Sequence, residues 1–338
     1  MLPLRLKRPE EPMTMTTATR FKDWTPAGVI PAVLLPFRTD FSIDEPAYRR
    51  HLRDVAAVRG ITAITINGHS SEVHACSIDE QREVLRITTE EVGDRLPVVA
   101  GVYADGSLEA ARIARMAEAG GASALLVFPP QSMSMGGQLR PEMPLVHFAT
   151  IAAATDLPLI CFNYTLVGGL GYPHETLLRL AESIPSIRAI KDWSGDPALH
   201  ERNIRALQSL PRPVTVLTTH SAWLLSSLVL GCNGLLSGAG SVIADLQVAL
   251  FEAVRADDLA RARAINDRIY PLAQAFYAPP FLDMHNRMKE VLHLLGRLPP
   301  AVMRPPLVKL PAVEIERLRQ AIAASRLDRD AVGLLAAE

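Results

Sequence analysis

Short runs of almost wholly apolar residues recur along this chain at regular intervals, over 29–35, 61–66, 97–102, 123–128, 158–162, 187–191, 214–217 and 234–237. A short run that is apolar throughout reads as a strand buried on both faces, as in a parallel sheet. Between these runs the pattern turns helical, over 45–58, 79–92, 107–119 and 142–154. Start and stop signals agree with it. Asp44 precedes Glu45-Pro46, Ser77 precedes Ile78-Asp79-Glu80, and Gly120-Gly121 closes the third helix. Eight strand–helix units over roughly 230 residues predict an α/β fold, a (β/α)8 TIM barrel. An open doubly wound sheet is the alternative, but the first strand–helix turn lacks a Gly-x-Gly-x-x-Gly pattern. Further on the pattern is purely helical, over 257–275, 282–295 and 313–324, with Pro279-Pro280, Pro299-Pro300 and Pro305-Pro306 as breaks. Three parts follow: a loose tail over 1–22, with Met13 or Met15 as an alternative start, a barrel over 23–255, and a C-terminal helical appendage over 256–338.

Barrel enzymes work at the C-terminal ends of their strands. Here those ends carry Gly68-His69-Ser70-Ser71-Glu72 after strand 2 and Phe162-Asn163-Tyr164-Thr165 after strand 5. Strand 6 ends in Lys191-Asp192, strand 7 leads to Thr218-Thr219-His220, and strand 8 ends at Ser237-Gly238. Lys191 is the only lysine among these ends. A lysine closing a buried strand loses hydration, which favours its neutral amine. Such an amine can attack a ketone, form a Schiff base and acidify the adjoining carbon. Gly68 with Ser70 and Ser71 offers N–H and O–H groups for a carboxylate, and Ser237 is a further candidate to touch substrate. Glu72 is expected to cap the helix that follows.

Charge and cysteine content narrow the classes. With 35 Lys and Arg against 36 Asp and Glu, the net charge is −1, which gives no footprint for nucleic acid or an anionic membrane. Cys76, Cys161 and Cys232 fit neither a disulfide framework nor a zinc pattern and read as reduced thiols. No run reaches the roughly 18 apolar residues of a membrane span, and the N-terminus has no apolar signal segment; the cytoplasm is the expected location. A metal-dependent hydrolase built on His69, His74 and His220 would need a paired-His motif at strand 1, which is absent. No metal and no organic cofactor are expected.

At these positions the sequence resembles the dihydrodipicolinate synthase / N-acetylneuraminate lyase family, the Schiff-base-forming (β/α)8 lyases. The family's T-P-F after strand 1 corresponds to Leu35-Pro36-Phe37, and its G-[TS]-[TS]-G-E carboxylate turn to Gly68-His69-Ser70-Ser71-Glu72. Its Y-N-x-P corresponds to Phe162-Asn163-Tyr164-Thr165, and its I-K-[DE]-x-[ST]-G to Ile190-Lys191-Asp192-Trp193-Ser194-Gly195. The resemblance implies a lyase or aldolase acting on a pyruvate-type 2-oxo acid, with Lys191 as the Schiff-base lysine, and a homo-oligomer, a tetramer or dimer.

The departures redirect it. The family's phenolic proton shuttle falls on Phe162, which carries no proton, so His69, Tyr164, or a water or substrate group takes that role. The synthases' arginine after strand 5 is replaced by the stretch Leu166-Val167-Gly168-Gly169, and the paired tyrosines after strand 4 fall at Pro130 and Gln131. These losses argue against the lysine-biosynthetic synthase reaction itself. Met133 and Met135 point to a less polar distal wall. A Schiff-base dehydratase acting on a 4-hydroxy-2-oxo or sugar acid and a non-catalytic acid-binding relative are the other readings.

Overall fold

The computed structural model describes Phe21 and residues 24–327. The tail expected over 1–22 therefore lies, Phe21 apart, outside the described residues. Eight parallel strands form one sheet: β1 (Gly28–Pro31), β2 (Ile64–Ile66), β3 (Val98–Val102), β4 (Ala124–Val127), β5 (Leu159–Asn163), β6 (Ile187–Asp192), β7 (Thr215–Thr218) and β8 (Gly234–Ser237). Their order, β1-β8-β7-β6-β5-β4-β3-β2, returns the last strand to the first. The seam between β1 and β2 closes through isolated parallel bridges, Val29 with Ile61 and Ala32 with Thr65. That loose seam explains why β1 and β2 are shorter than their apolar runs: residues 32–35 and 61–63 are largely buried without a continuous ladder.

Helices α1 (Glu45–Ala56), α2 (Ile78–Val92), α3 (Ser107–Ala119), α4 (Glu142–Ala152), α5 (His174–Ser183), α6 (Pro197–Gln208), α7 (Leu224–Val229) and α8 (Gly240–Arg255) alternate with the strands. Their ends are set locally. The Asp44 carboxylate accepts from the Ala47 N–H at 3.2 Å, and Ser77 and Glu80 form a reciprocal capping box.

Strand alternation divides the interior in two. Ile30, Val99, Leu126, Ile160, Ala189, Leu217 and Leu236 fill the barrel, while Val29, Ile64, Val98, Leu125, Cys161, Ile190, Val216 and Leu235 pack outward against helices. A register shift in the β5–β6 pairing marks a bulge at exposed Arg188. It lets Ile187 and Ile190 both face the helices while Ala189 faces inward, and so fixes the phase that turns Lys191 into the barrel.

The appendage comprises α9 (Leu259–Phe276), α10 (Met284–Leu294) and α11 (Ala312–Ala324). Leu272, Phe276, Met288 and Val291 belong to the same apolar core as the barrel helices. Arg287, buried on α10, donates to the carbonyls of Phe276, Ala278, Pro279 and Pro280 and pairs with Glu314 of α11. No described helix is long and apolar enough to cross a membrane.

Glu72 departs from expectation. Ser77 and Glu80 serve the α2 terminus, and the Glu72 carboxylate instead pairs with the Lys289 ammonium of α10 and accepts from the Arg304 N–H at 3.1 Å. The Glu72 and Lys289 side chains are 1% and 2% exposed, so removing either leaves the other charged and unpaired in the interior. Glu72→Ala should lower the free energy of unfolding by about 3–5 kcal/mol in a denaturant titration. The double variant Glu72→Leu, Lys289→Met should recover most of that loss.

Candidate active site

Above the barrel layers lies a cavity open to solvent. The strand ends contribute Thr65, Gly68, His69, Ser70, Phe162, Lys191 and Gly238 to its wall. Thr219, His220, Ala222 and Trp223 come from the segment after β7, and Tyr277, Phe281, Met284 and His285 from the appendage.

The turn after β2 reaches over the barrel mouth because β3 makes room for it. Asn67 has φ 51° and sets its carbonyl where a side chain on Gly101 would stand, 1.9 Å from an ideal Cβ. Any other residue at Gly101 would push the turn away. The Asn67 amide donates to the Gln81 carbonyl of α2 at 2.9 Å and pins the turn from behind.

Lys191 is 8% exposed and stands opposite Phe162 in the β5–β6 register, its Nζ 4.0 Å from the ring centroid. None of the residues lining the cavity is an Asp or Glu. Burial without a compensating anion lowers its pKa to about 7. Asp192, next in sequence, points to the other side of the strand. There its Oδ1 accepts from the Asn163 amide at 3.1 Å and the Ser194 N–H at 2.9 Å, and its Oδ2 lies 2.7 Å from His200 Nδ1. Burial pushes the Asp192 carboxyl up, but the His200 hydrogen bond, the neighbouring His200 and His220 imidazoles and the Asn163 amide hold it below the usual range.

His69 and Tyr164, alternatives for one role in the sequence, are hydrogen-bonded to each other through Nε2 and the phenol oxygen. Only His69 is on the cavity wall; Tyr164 stands behind it, packed between Phe162 (4.3 Å between centroids) and Trp193 (5.5 Å). Burial, with the Lys191 charge adding to it, lowers the His69 pKa to about 3, and burial raises the Tyr164 phenol well above its ordinary value. At neutral pH the pair is an uncharged imidazole joined to an intact phenol.

The hydroxyl candidates divide. Ser70 Oγ is buried, lies on the wall and has no hydrogen-bond partner in the protein. Thr65 Oγ1, on the inner face of β2, is in the same position, and the sequence reading missed it. Ser71 and Ser237, expected to meet substrate, are not on the wall. The Ser71 hydroxyl donates to the Val33 carbonyl at 2.9 Å and its N–H to Gly68. Ser237 Oγ is enclosed by Ser221 Oγ (2.7 Å), the Ala239 N–H and the Gln247 amide. Both serines brace the mouth from behind.

Among the described residues, the His and acidic side chains close enough to share an ion are Asp192, His200 and His220, not the trio with His69 and His74. That group does not suit a metal as it stands: both His200 nitrogens are taken, by Asp192 and by Ser227 Oγ at 2.7 Å. His285, also missed from sequence, reaches the wall from α10; burial, then His69 and Lys191, lowers its pKa well below the ordinary value.

The pKa of Lys191 sets a testable sign. Below pH 7 the ammonium predominates and is not nucleophilic; above it the free amine does. Carbamylation of Lys191 by cyanate, followed by peptide mass spectrometry, should therefore rise with a midpoint near pH 7. A small-molecule control, N-acetyl-lysine amide, should still be gaining reactivity toward about pH 10.4.

The sequence profile of the Dihydrodipicolinate synthetase family matches residues 25–325. A 4-hydroxy-tetrahydrodipicolinate synthase from Acidobacterium capsulatum is 33% identical over 275 residues, covering 80% of this chain and 87% of that one. The enzyme of the same name from Methanopyrus kandleri is 31% identical over 260 residues, covering 74% and 81%. The solved structure of 4-hydroxy-tetrahydrodipicolinate synthase from Methylacidiphilum fumariolicum SolV superposes with TM-score 0.80 at 26% identity, over 89% of this chain and 96% of the other. A prophage protein of the dihydrodipicolinic acid synthase family from E. coli K12, solved in complex with pyruvate, gives TM-score 0.81 at 23% identity over 89% and 99%, a likeness of fold.

Proposed function

The chain belongs to the dihydrodipicolinate synthetase family and is a lyase of the class I aldolase type; on that premise we propose that it joins a pyruvate-type 2-oxo acid reversibly to an aldehyde through a Schiff base on Lys191. The observation that carries this reading is a buried amine, free of any acidic partner on the cavity wall, sharing a cavity with two unpartnered hydroxyls.

The 2-oxo acid sets its carboxylate on the hydroxyls of Thr65 and Ser70. The Lys191 amine adds to the ketone carbon, one proton is taken up and water leaves, giving an iminium ion; that proton is returned when hydrolysis regenerates the free amine. Loss of a proton from the adjoining methyl carbon gives the enamine, whose carbon attacks the aldehyde. The aldehyde π electrons move to oxygen, which takes up a proton. Water then hydrolyses the iminium, freeing the lysine and a 4-hydroxy-2-oxo acid. The proton removed from carbon and the one delivered to oxygen balance, and the Tyr164–His69 pair is the route for both. His69 meets the substrate, while Tyr164 holds the proton at rest because its phenol resists ionisation. The pair thus takes over the task that Phe162 cannot perform.

The assembly state proposed is the homo-oligomer that the resemblance implies. The thiols of Cys76, Cys161 and Cys232 are free, in keeping with a cytoplasmic location.

Borohydride reduction in the presence of pyruvate should add mass to the Lys191 peptide, and Lys191→Arg should abolish both adduct and turnover; an arginine variant with full turnover would end this reading. Tyr164→Phe and His69→Phe should still form the adduct but turn over about 10²–10⁴-fold more slowly. The double variant should be little worse than either single one, because the two act as a unit. Ser70→Ala should raise the pyruvate KM about tenfold, the loss of one hydrogen bond to a charged group.

A further inference from the structure

We infer that the aldehyde partner is aromatic and carries no carboxylate, a statement of substrate class that rests on the aldolase reading above. The distal half of the cavity is walled by rings. Trp193 and Phe281 stack with centroids 4.9 Å apart and planes at 19°, and Tyr277 continues the stack at 5.7 Å and 28°. Trp223 supplies a further ring, stacked at 4.1 Å and 27° on His220. Gly195, Ala222 and Gly238 also line the wall, adding no side chain beyond a methyl group. A wall so rich in rings offers a planar aromatic ligand ring–ring contact as well as burial.

Charge sets the second half of the argument. Lys191 is the only lysine or arginine among the lining residues, and the proposed chemistry uses it on the 2-oxo acid. Burial keeps the imidazoles of His69, His220 and His285 neutral at pH 7. A carboxylate on the aldehyde would lose its hydration with no cation of its own to meet, which disfavours such acceptors. A polyhydroxylated aldehyde would find the Ser221 hydroxyl of the wall already bonded to Ser237. His220 offers an open polar contact. Both ring nitrogens of His220 are buried without a protein partner, which suits a single hydroxyl on the aromatic ring.

The test uses the intact enzyme with pyruvate and four aldehydes: benzaldehyde, cyclohexanecarbaldehyde, succinic semialdehyde and glyceraldehyde. We expect kcat/KM to be at least tenfold higher for benzaldehyde than for either succinic semialdehyde or glyceraldehyde, and higher than for the non-planar cyclohexane analogue. Phe281→Ala should lower the benzaldehyde value at least tenfold, and Phe281→Tyr should keep it. If borohydride traps pyruvate on Lys191 but succinic semialdehyde or glyceraldehyde matches benzaldehyde, the aromatic assignment is overturned and the Schiff-base reading stands. If pyruvate is not trapped, the Schiff-base reading falls, and binding decides the wall on its own. Trp193 and Trp223 are two of the chain's three tryptophans, so their fluorescence reports the wall directly. Saturable quenching by benzyl alcohol but not by succinate supports the aromatic assignment whether or not turnover is seen, and the reverse overturns it.

Discussion

The site depends on keeping an amine away from any acid. Lys191 and Asp192 are adjacent, yet a strand places them on opposite faces. The inward face is apolar and aromatic, and the outward face is a hydrogen-bonded pocket of Asn163, Ser194, His200 and Asn203 that holds the carboxylate's charge in place. Had the two side chains shared a face, the carboxylate would have favoured the ammonium over the free amine. Strand phase is therefore chemistry here, and the bulge at Arg188 is what sets it.

The same economy explains how the cavity works without the family's usual phenol. Phe162 keeps the apolar contact over Lys191 and contributes to the desolvation. In the proposed reaction proton handling passes to Tyr164 and His69, which follow different strands and meet across the barrel mouth. Separating the two tasks leaves the lysine's immediate surroundings drier than a phenol would.

Much of this was legible in the chain. The strand positions followed from apolar runs, and Lys191 followed from its place at the end of the sixth. His69 and Tyr164 were legible as candidates, but not as partners, because nothing local ties residue 69 to residue 164. Thr65 was hidden inside a strand that reads as uniformly buried. Ser71 and Ser237 looked exposed to substrate because turn composition reports polarity and not direction. Glu72 misled for a related reason: a carboxylate just before a helix reads as a cap, whereas its true partner lies 217 residues further along. The rings of Tyr277 and Phe281 lie outside the βα rhythm, so no periodic argument could bring them to the mouth.

Helix α10 carries two kinds of residue one turn apart. Met284 and His285 line the cavity, while Arg287 and Lys289 tie the helix to its surroundings through buried charges. Selection for new acceptors therefore meets unequal resistance around the rim. Changes on the α10 side disturb the clamp that holds the helix in place, whereas the short segment around Ala222 and Trp223 is free of that burden and is where specificity can drift in laboratory evolution.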